Sequence, residues 1–159
     1  MVRACGGCGR MILNPGEKCC VTPEDDRPPW PKRFEEMASY WSTYSTCKRK
    51  KVGAVIFDPK TKAVVSIGYN DTPIGHKDCG AGGCAPCRGS IGTSLMLDCF
   101  CVHAETNALL LAARRGTKTD GCEIATSHPI CASCRKHLIQ AGITTAWPRG
   151  LPIRLDDRG

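Results

Sequence analysis

"CEIATSHPICASCRKHLIQAGITTAW", residues 122–147, decides the fold. "CEIATS" (122–127) reads as a strand, and "CASCRKHLIQAG" (131–142) reads as a helix closed by Gly142. "ITTAW" (143–147) reads as a further strand. A strand, a helix and a strand in succession join two parallel strands by a crossover. Upstream, "HAETNALLLAARRG" (103–116) is a helix with leucines on one side, arginines in its last turn and Gly116 as its stop. Earlier still, "VGAVIFD" (52–58) and "AVVSIGYN" (63–70) are β-rich runs separated by "PKTK", a hairpin pattern. "KRFEEMASYWSTYS" (32–45) spaces Phe34, Met37, Ala38 and Trp41 at helical intervals, with Glu35 and Glu36 in its early turns. The expected order is helix, two antiparallel strands, helix, strand, helix, strand: an α/β fold with a mixed sheet and helices on it. The tail from Pro148 is short and charged and predicts no structure.

At 159 residues the chain suits one compact domain with a small appendage. Residues 1–20 form a cysteine- and glycine-rich head, and "VTPEDDRPPWP" (21–31) reads as an extended linker. The main domain is expected over 32–159, interrupted by an irregular cysteine- and glycine-rich insert at 71–102. The longest aliphatic run, "ALLLAA" (108–113), is far too short to cross a bilayer. "MVRACGGCGR" lacks the apolar stretch of a secretory signal, so the expected address is the cytoplasm, that of a host cell if the chain is virus-encoded. The formal net charge of +7 suits an anionic partner, but it suits solvated surface equally, and metal-bound thiolates would lower it. Charge alone does not separate a nucleotide from a nucleic acid.

Thirteen cysteines call for disulfides or for metal, and the pattern favours metal. The count is odd, no export signal is evident, and there are three C-x-x-C pairs: Cys5/Cys8, Cys84/Cys87 and Cys131/Cys134. "VHAE" supplies the complement to the last of these. His103 and Glu105 stand where one helix begins, and Cys131 and Cys134 open the next, so two positive helix ends would point at one spot. Three protein ligands, His103, Cys131 and Cys134, leave a fourth tetrahedral position for water, the mark of a catalytic zinc. Glu105 is close enough to reach that water and placed to move its protons. Alone, His103 would read as a core histidine and Glu105 as a first-turn carboxylate. H-x-E followed by P-C-x-x-C is the signature of zinc-dependent nucleobase deaminases, and here the proline stands one place early.

The chain resembles the deoxycytidylate (dCMP) deaminases of the cytidine deaminase superfamily over about residues 34–147. The resemblance is carried by "STCKRKKVGAVIFD", "GYNDTPIGH", "VHAETNALLLAA" and "HPICASCRKHLIQAGI". It implies a three-layer fold, a pyrimidine deoxynucleotide substrate, a homo-oligomer and the hydrolytic conversion of dCMP to dUMP and ammonia. By resemblance Asn70 would bond the deoxyribose, Arg49 would lie near the 5′ phosphate, and Ser127 and His128 would face the substrate. There are departures. Pro129 stands one place earlier than in many relatives, leaving Ile130 before Cys131, which we read as a local change in the substrate-facing loop. Asp71 replaces the glycine usual after "GYN", which puts regulation by nucleoside triphosphates in doubt. The family's later tyrosine-bearing segment has no clear counterpart.

The insert has little apolar material, so a structural zinc is its expected staple. The favoured ligands are Cys79, Cys84, Cys87 and Cys99, with His76 and Cys101 as substitutes. In the head, Cys5, Cys8, Cys19 and Cys20 resemble a zinc knuckle. Alternatively, one of Cys19 and Cys20 is free, or head and insert share ligands. Cys47 and Cys122 are expected to be core residues. Two rival functions remain: editing of a base in DNA or RNA, disfavoured by an aromatic content of 6%, and a zinc-dependent binding protein without catalysis, disfavoured by the presence of Glu105 beside all three ligands.

Overall fold

The structure, a computed structural model, describes residues 3–4, 11–12, 27–87 and 99–155. The head contributes one short antiparallel pair, β1 (Arg3–Ala4) with β2 (Met11–Ile12). The main domain then runs α1 (Trp30–Ser42), β3 (Gly53–Phe57), β4 (Val64–Tyr69), α2 (Ala104–Arg114), β5 (Glu123–Thr126), α3 (Ala132–Gln140), β6 (Thr145–Pro148) and β7 (Ile153–Arg154). These strands form a five-stranded sheet in the order β4-β3-β5-β6-β7. β3 is antiparallel to both neighbours, β5 and β6 are parallel through the α3 crossover, and β7 is antiparallel to β6. The expected mixed sheet is therefore present, and so is the hairpin.

Burial explains the layers. β3 is buried along its whole length, and alternate side chains go to opposite faces of a strand. Ala54 and Ile56 join Ala104, Ala108 and Leu138 on the side of α2 and α3; Val55 and Phe57 join Phe34 and Ala38 on the side of α1. Helices thus cover both faces, giving three layers. The Phe34 and Phe57 rings stack with centroids 3.9 Å apart. α2 comes unusually close to β4 at Gly68, where a Cβ would overlap the Ala104 carbonyl and the Ala108 amide. Ser66 Oγ donates to the Ala108 carbonyl at 2.7 Å alongside.

Two boundaries differ from the sequence reading. α1 begins and ends earlier than expected, from Trp30 to Ser42. Pro31 is tolerated in the first turn because its missing N–H would have had no helical partner. At the other end, Ser42 Oγ and Thr43 Oγ1 donate to the carbonyls of Ser39 and Tyr40, the local bonding by which such residues compete with helix continuation. The tail, expected to form no structure, supplies β7. Arg149 and Gly150 take positive φ, 54° and 76°, and turn the chain back onto β6, while Leu155 is buried in the core.

In the insert, Asp71 bridges Val102, and Cys79–Ala81 and Ala85–Cys87 form short 3₁₀ turns. Cys5, Cys8, Cys19 and Cys20 lie outside the described residues. No helix among the described residues is long and apolar enough to cross a membrane. Because Phe34 is fully buried against Phe57, Phe34→Ala should cost about 3–5 kcal/mol of stability, to be read from the midpoint and slope of a urea unfolding curve.

Candidate metal centre

β4 and β5 both run against β3, so their carboxyl ends and the amino end of β3 share one end of the sheet. In open α/β sheets the crevice outside the carboxyl ends of strands is the usual ligand site. α2 and α3 begin there. His103 is the N-cap of α2 in extended geometry, and its side chain makes no capping hydrogen bond. Cys131 is the N-cap of α3, and its sulfur accepts from the Cys134 amide at 3.4 Å.

His103 Nδ1 lies 3.4 Å from Cys131 Sγ and 3.3 Å from Cys134 Sγ. The edges of a zinc tetrahedron with these ligands, about 2.3 Å to sulfur and about 2.0–2.1 Å to nitrogen, are close to ~3.6 Å. One imidazole nitrogen and two thiols are a zinc donor set, and these residues fit the ion. Cys134 is buried whereas His103 and Cys131 are exposed, so the triad has a closed side and an open side. Glu105 is only 4% exposed, and its Oε2 accepts from the Cys134 thiol at 3.6 Å. Burial, and then the charge of Glu105, push the Cys134 thiol up from its ordinary range. Thr106 Oγ1 sits 3.7 Å from the same sulfur, a contact that sequence patterning does not signal.

The other expected site residues gather around the start of β3. Asn70 accepts from the Val52 amide at 2.7 Å and donates from Nδ2 to the Lys50 carbonyl at 2.8 Å. Its side chain therefore fixes the Lys50–Val52 backbone and keeps one amide hydrogen for another partner. Ser127 Oγ accepts from the Gly53 amide at 3.0 Å and is 3.1 Å from His128 Nδ1. Burial, followed by the charges of Lys50 and Arg149, holds His128 below its usual range, so its ring is neutral at pH 7. Arg49 is exposed on the loop before β3. The displaced proline has a structural counterpart: Pro129 is exposed, while Ile130 packs on the core beneath α2 and α3. Asp71 accepts from Thr46 Oγ1 at 2.6 Å, so its carboxylate tethers the same loop.

The insert cysteines also come together. Cys79, Cys84, Cys87 and Cys99 share one cluster with Cys101 and, unexpectedly, Cys47. Cys47 is buried, as expected, but its neighbours are sulfurs; its distance in sequence from the others hid this. His76 lies instead with its ring edge against Phe100. Cys122 packs in the apolar core. Two cavities of about 770 Å³ lie apart from the His103 triad, one against Asp120 and Gly142 and one between Tyr69, Ile74 and Leu110. Donors and a carboxylate converge at the triad.

Residues 28–147 match the family model "Cytidine and deoxycytidylate deaminase zinc-binding region". The deoxycytidylate deaminase of Schizosaccharomyces pombe is 36% identical over 124 residues, 77% of this chain and 38% of that protein. ComE operon protein 2 of Bacillus subtilis is 36% identical over 125 residues, 77% of this chain and 60% of that protein. The chain thus spans less than two thirds of either relative's length. A solved structure, the dCMP deaminase from the cyanophage S-TIM5 in complex with dCMP and dUMP, is 32% identical with a TM-score of 0.61, covering 76% of this chain and 80% of that one.

His103→Ala and Cys134→Ser should each lose one zinc per chain relative to the parent by native mass spectrometry, and Glu105→Gln should lose none. Since both thiols must give up protons on binding, zinc affinity at this centre should fall about tenfold per pH unit for each proton released as pH drops.

Proposed function

The chain belongs to the cytidine and deoxycytidylate deaminases with a zinc-binding region, and we propose that it hydrolyses dCMP to dUMP and ammonia. The observation that carries this reading is the buried Glu105 carboxylate set beside the His103, Cys131 and Cys134 triad at two helix amino ends. His103, Cys131 and Cys134 would hold a zinc ion, which when bound would lower the pKa of a water at its open position from about 15.7 to about 7. Glu105 takes a proton from the attacking water as its oxygen adds to C4 of the cytosine ring, delivers that proton to N3, and then passes the water's second proton to the 4-amino group as the C4–N bond breaks. One water is consumed and one ammonia released.

The remaining residues orient the nucleotide. Asn70 is positioned by its two backbone hydrogen bonds, and its second amide hydrogen serves the deoxyribose. Neutral His128 and Ser127 line the base-facing loop, and Arg49 neutralises the 5′ phosphate. The insert cysteines hold structural zinc, and the protein acts in the cytoplasm. Exposed Tyr40, Tyr44, Ile74 and Leu110 offer apolar surface for assembly into a homo-oligomer.

Purified protein should deaminate dCMP faster than deoxycytidine, dCTP or a cytosine-containing oligonucleotide. Equal or faster turnover of the oligonucleotide overturns the nucleotide reading. Glu105→Gln should lower kcat by about 10²- to 10⁴-fold, the usual worth of general acid–base catalysis. Arg49→Ala should raise KM for dCMP and leave deoxycytidine kinetics unchanged; an equal effect on both would remove Arg49 from the phosphate.

A further inference from the structure

The second cysteine cluster contains more sulfur than one ion can use. Cys47, Cys79, Cys84 and Cys101 are buried, and Cys87 and Cys99 are partly so; all are free thiols in one contiguous group. Two triads occur within it, Cys47/Cys79/Cys87 and Cys79/Cys84/Cys101, each with its sulfurs within 4.8 Å of one another. Cys84 Sγ is also 3.9 Å from Cys99 Sγ. A tetrahedral zinc with four sulfurs at about 2.3 Å has edges of ~3.8 Å, so that contact has the length of a shared ion.

The arithmetic of coordination then constrains the site. One tetrahedral ion uses four thiolates, and any choice of four abandons two thiols beside the ion's own ligands. Two separate ions need eight, and the described residues bring six. Six thiolates satisfy two tetrahedral ions when two of them bridge. Cys79 belongs to both triads and is one bridge. Cys84 lies 3.9 Å from Cys99, shares a triad with Cys79 and Cys101, and interacts with Cys87, and is the second. We propose that this cluster holds two zinc ions on six thiolates, with Cys79 and Cys84 bridging, Cys47 and Cys87 completing one ion, and Cys99 and Cys101 completing the other.

The surroundings suit such a centre. Backbone amides of Lys50 and Arg49 donate toward Cys47, that of Phe100 toward Cys84, and that of Cys101 toward Cys99. Six thiolates and two dications leave a charge of 2−, and Lys48, Arg49, Lys50 and Lys51 lie immediately beyond Cys47. The site is independent of the reaction at Glu105. Its ions close one segment from before β3, a second around the two 3₁₀ turns and a third leading to α2.

The test uses the full chain, purified reduced. Zinc is exchanged for ¹¹³Cd and the cadmium spectrum is recorded. Bridging thiolates should give two all-sulfur cadmium resonances split by coupling to each other, distinct from the mixed nitrogen–sulfur resonance of the His103 centre. By native mass spectrometry, Cys47→Ser and Cys101→Ser should each reduce the zinc count by at least one. A cadmium spectrum in which no pair is mutually coupled overturns the proposal, as does either variant retaining the parent count. If a variant fails to fold, the spectrum of the unaltered chain decides.

Discussion

The amino ends of α2 and α3 meet at one point, and most of the molecule serves to hold them there. Each helix end brings unpaired amides and a partial positive charge, which would repel a bare cation but favour thiolates and a carboxylate. The N-caps are His103 and Cys131, so the residues that begin the helices are also the proposed metal donors. A shift of either helix by one turn, about 5.4 Å, would dismantle the centre. α2 is held against that shift by its close approach to Gly68 and by the hydrogen bond from Ser66. α3 is held by Leu138 and Ile130 in the core below.

Most of this was readable because it is local. Strand, helix and strand over 122–147 follow from β-rich runs around a helix closed by Gly142, and the hairpin from two such runs around "PKTK". His103, Glu105, Cys131 and Cys134 sit in short motifs whose spacing puts them at helix starts. What escaped the sequence is long-range. Cys47 enters the thiolate cluster by tertiary packing, with no nearby partner to announce it. β7 depends on a turn at Arg149, a residue that rarely adopts positive φ. Asn70 could be singled out, but its grip on the Lys50–Val52 backbone is a matter of fold rather than motif.

The six-cysteine cluster and the nucleotide site meet in one loop. Cys47 ties its beginning to the insert, Ser45 Oγ donates to the Asn70 carbonyl at 2.6 Å, and Thr46 Oγ1 donates to Asp71. Arg49 follows two residues after Cys47. Ordering a residue costs about 1–2 kcal/mol of backbone entropy, and the insert has few apolar groups with which to offset it. Metal binding, worth about 10–16 kcal/mol for structural zinc in small peptides, would offset part of that cost. Under this arrangement the cluster fixes the backbone from which Arg49, the proposed phosphate-binding charge, projects.

β7 is two residues long, yet it changes how the sheet meets its surroundings. Without it, β6 would present a row of amides and carbonyls able to pair with any extended chain. Instead Ile153 and Arg154 lie along β6, and the Leu155 amide donates to the Thr144 carbonyl at 2.9 Å. The outer rim so formed is short and bears a charged side chain, a poor template for further strands. Growth of an endless sheet from that side is thereby interrupted, and copies of the chain that associate there must use side-chain surfaces rather than backbone pairing.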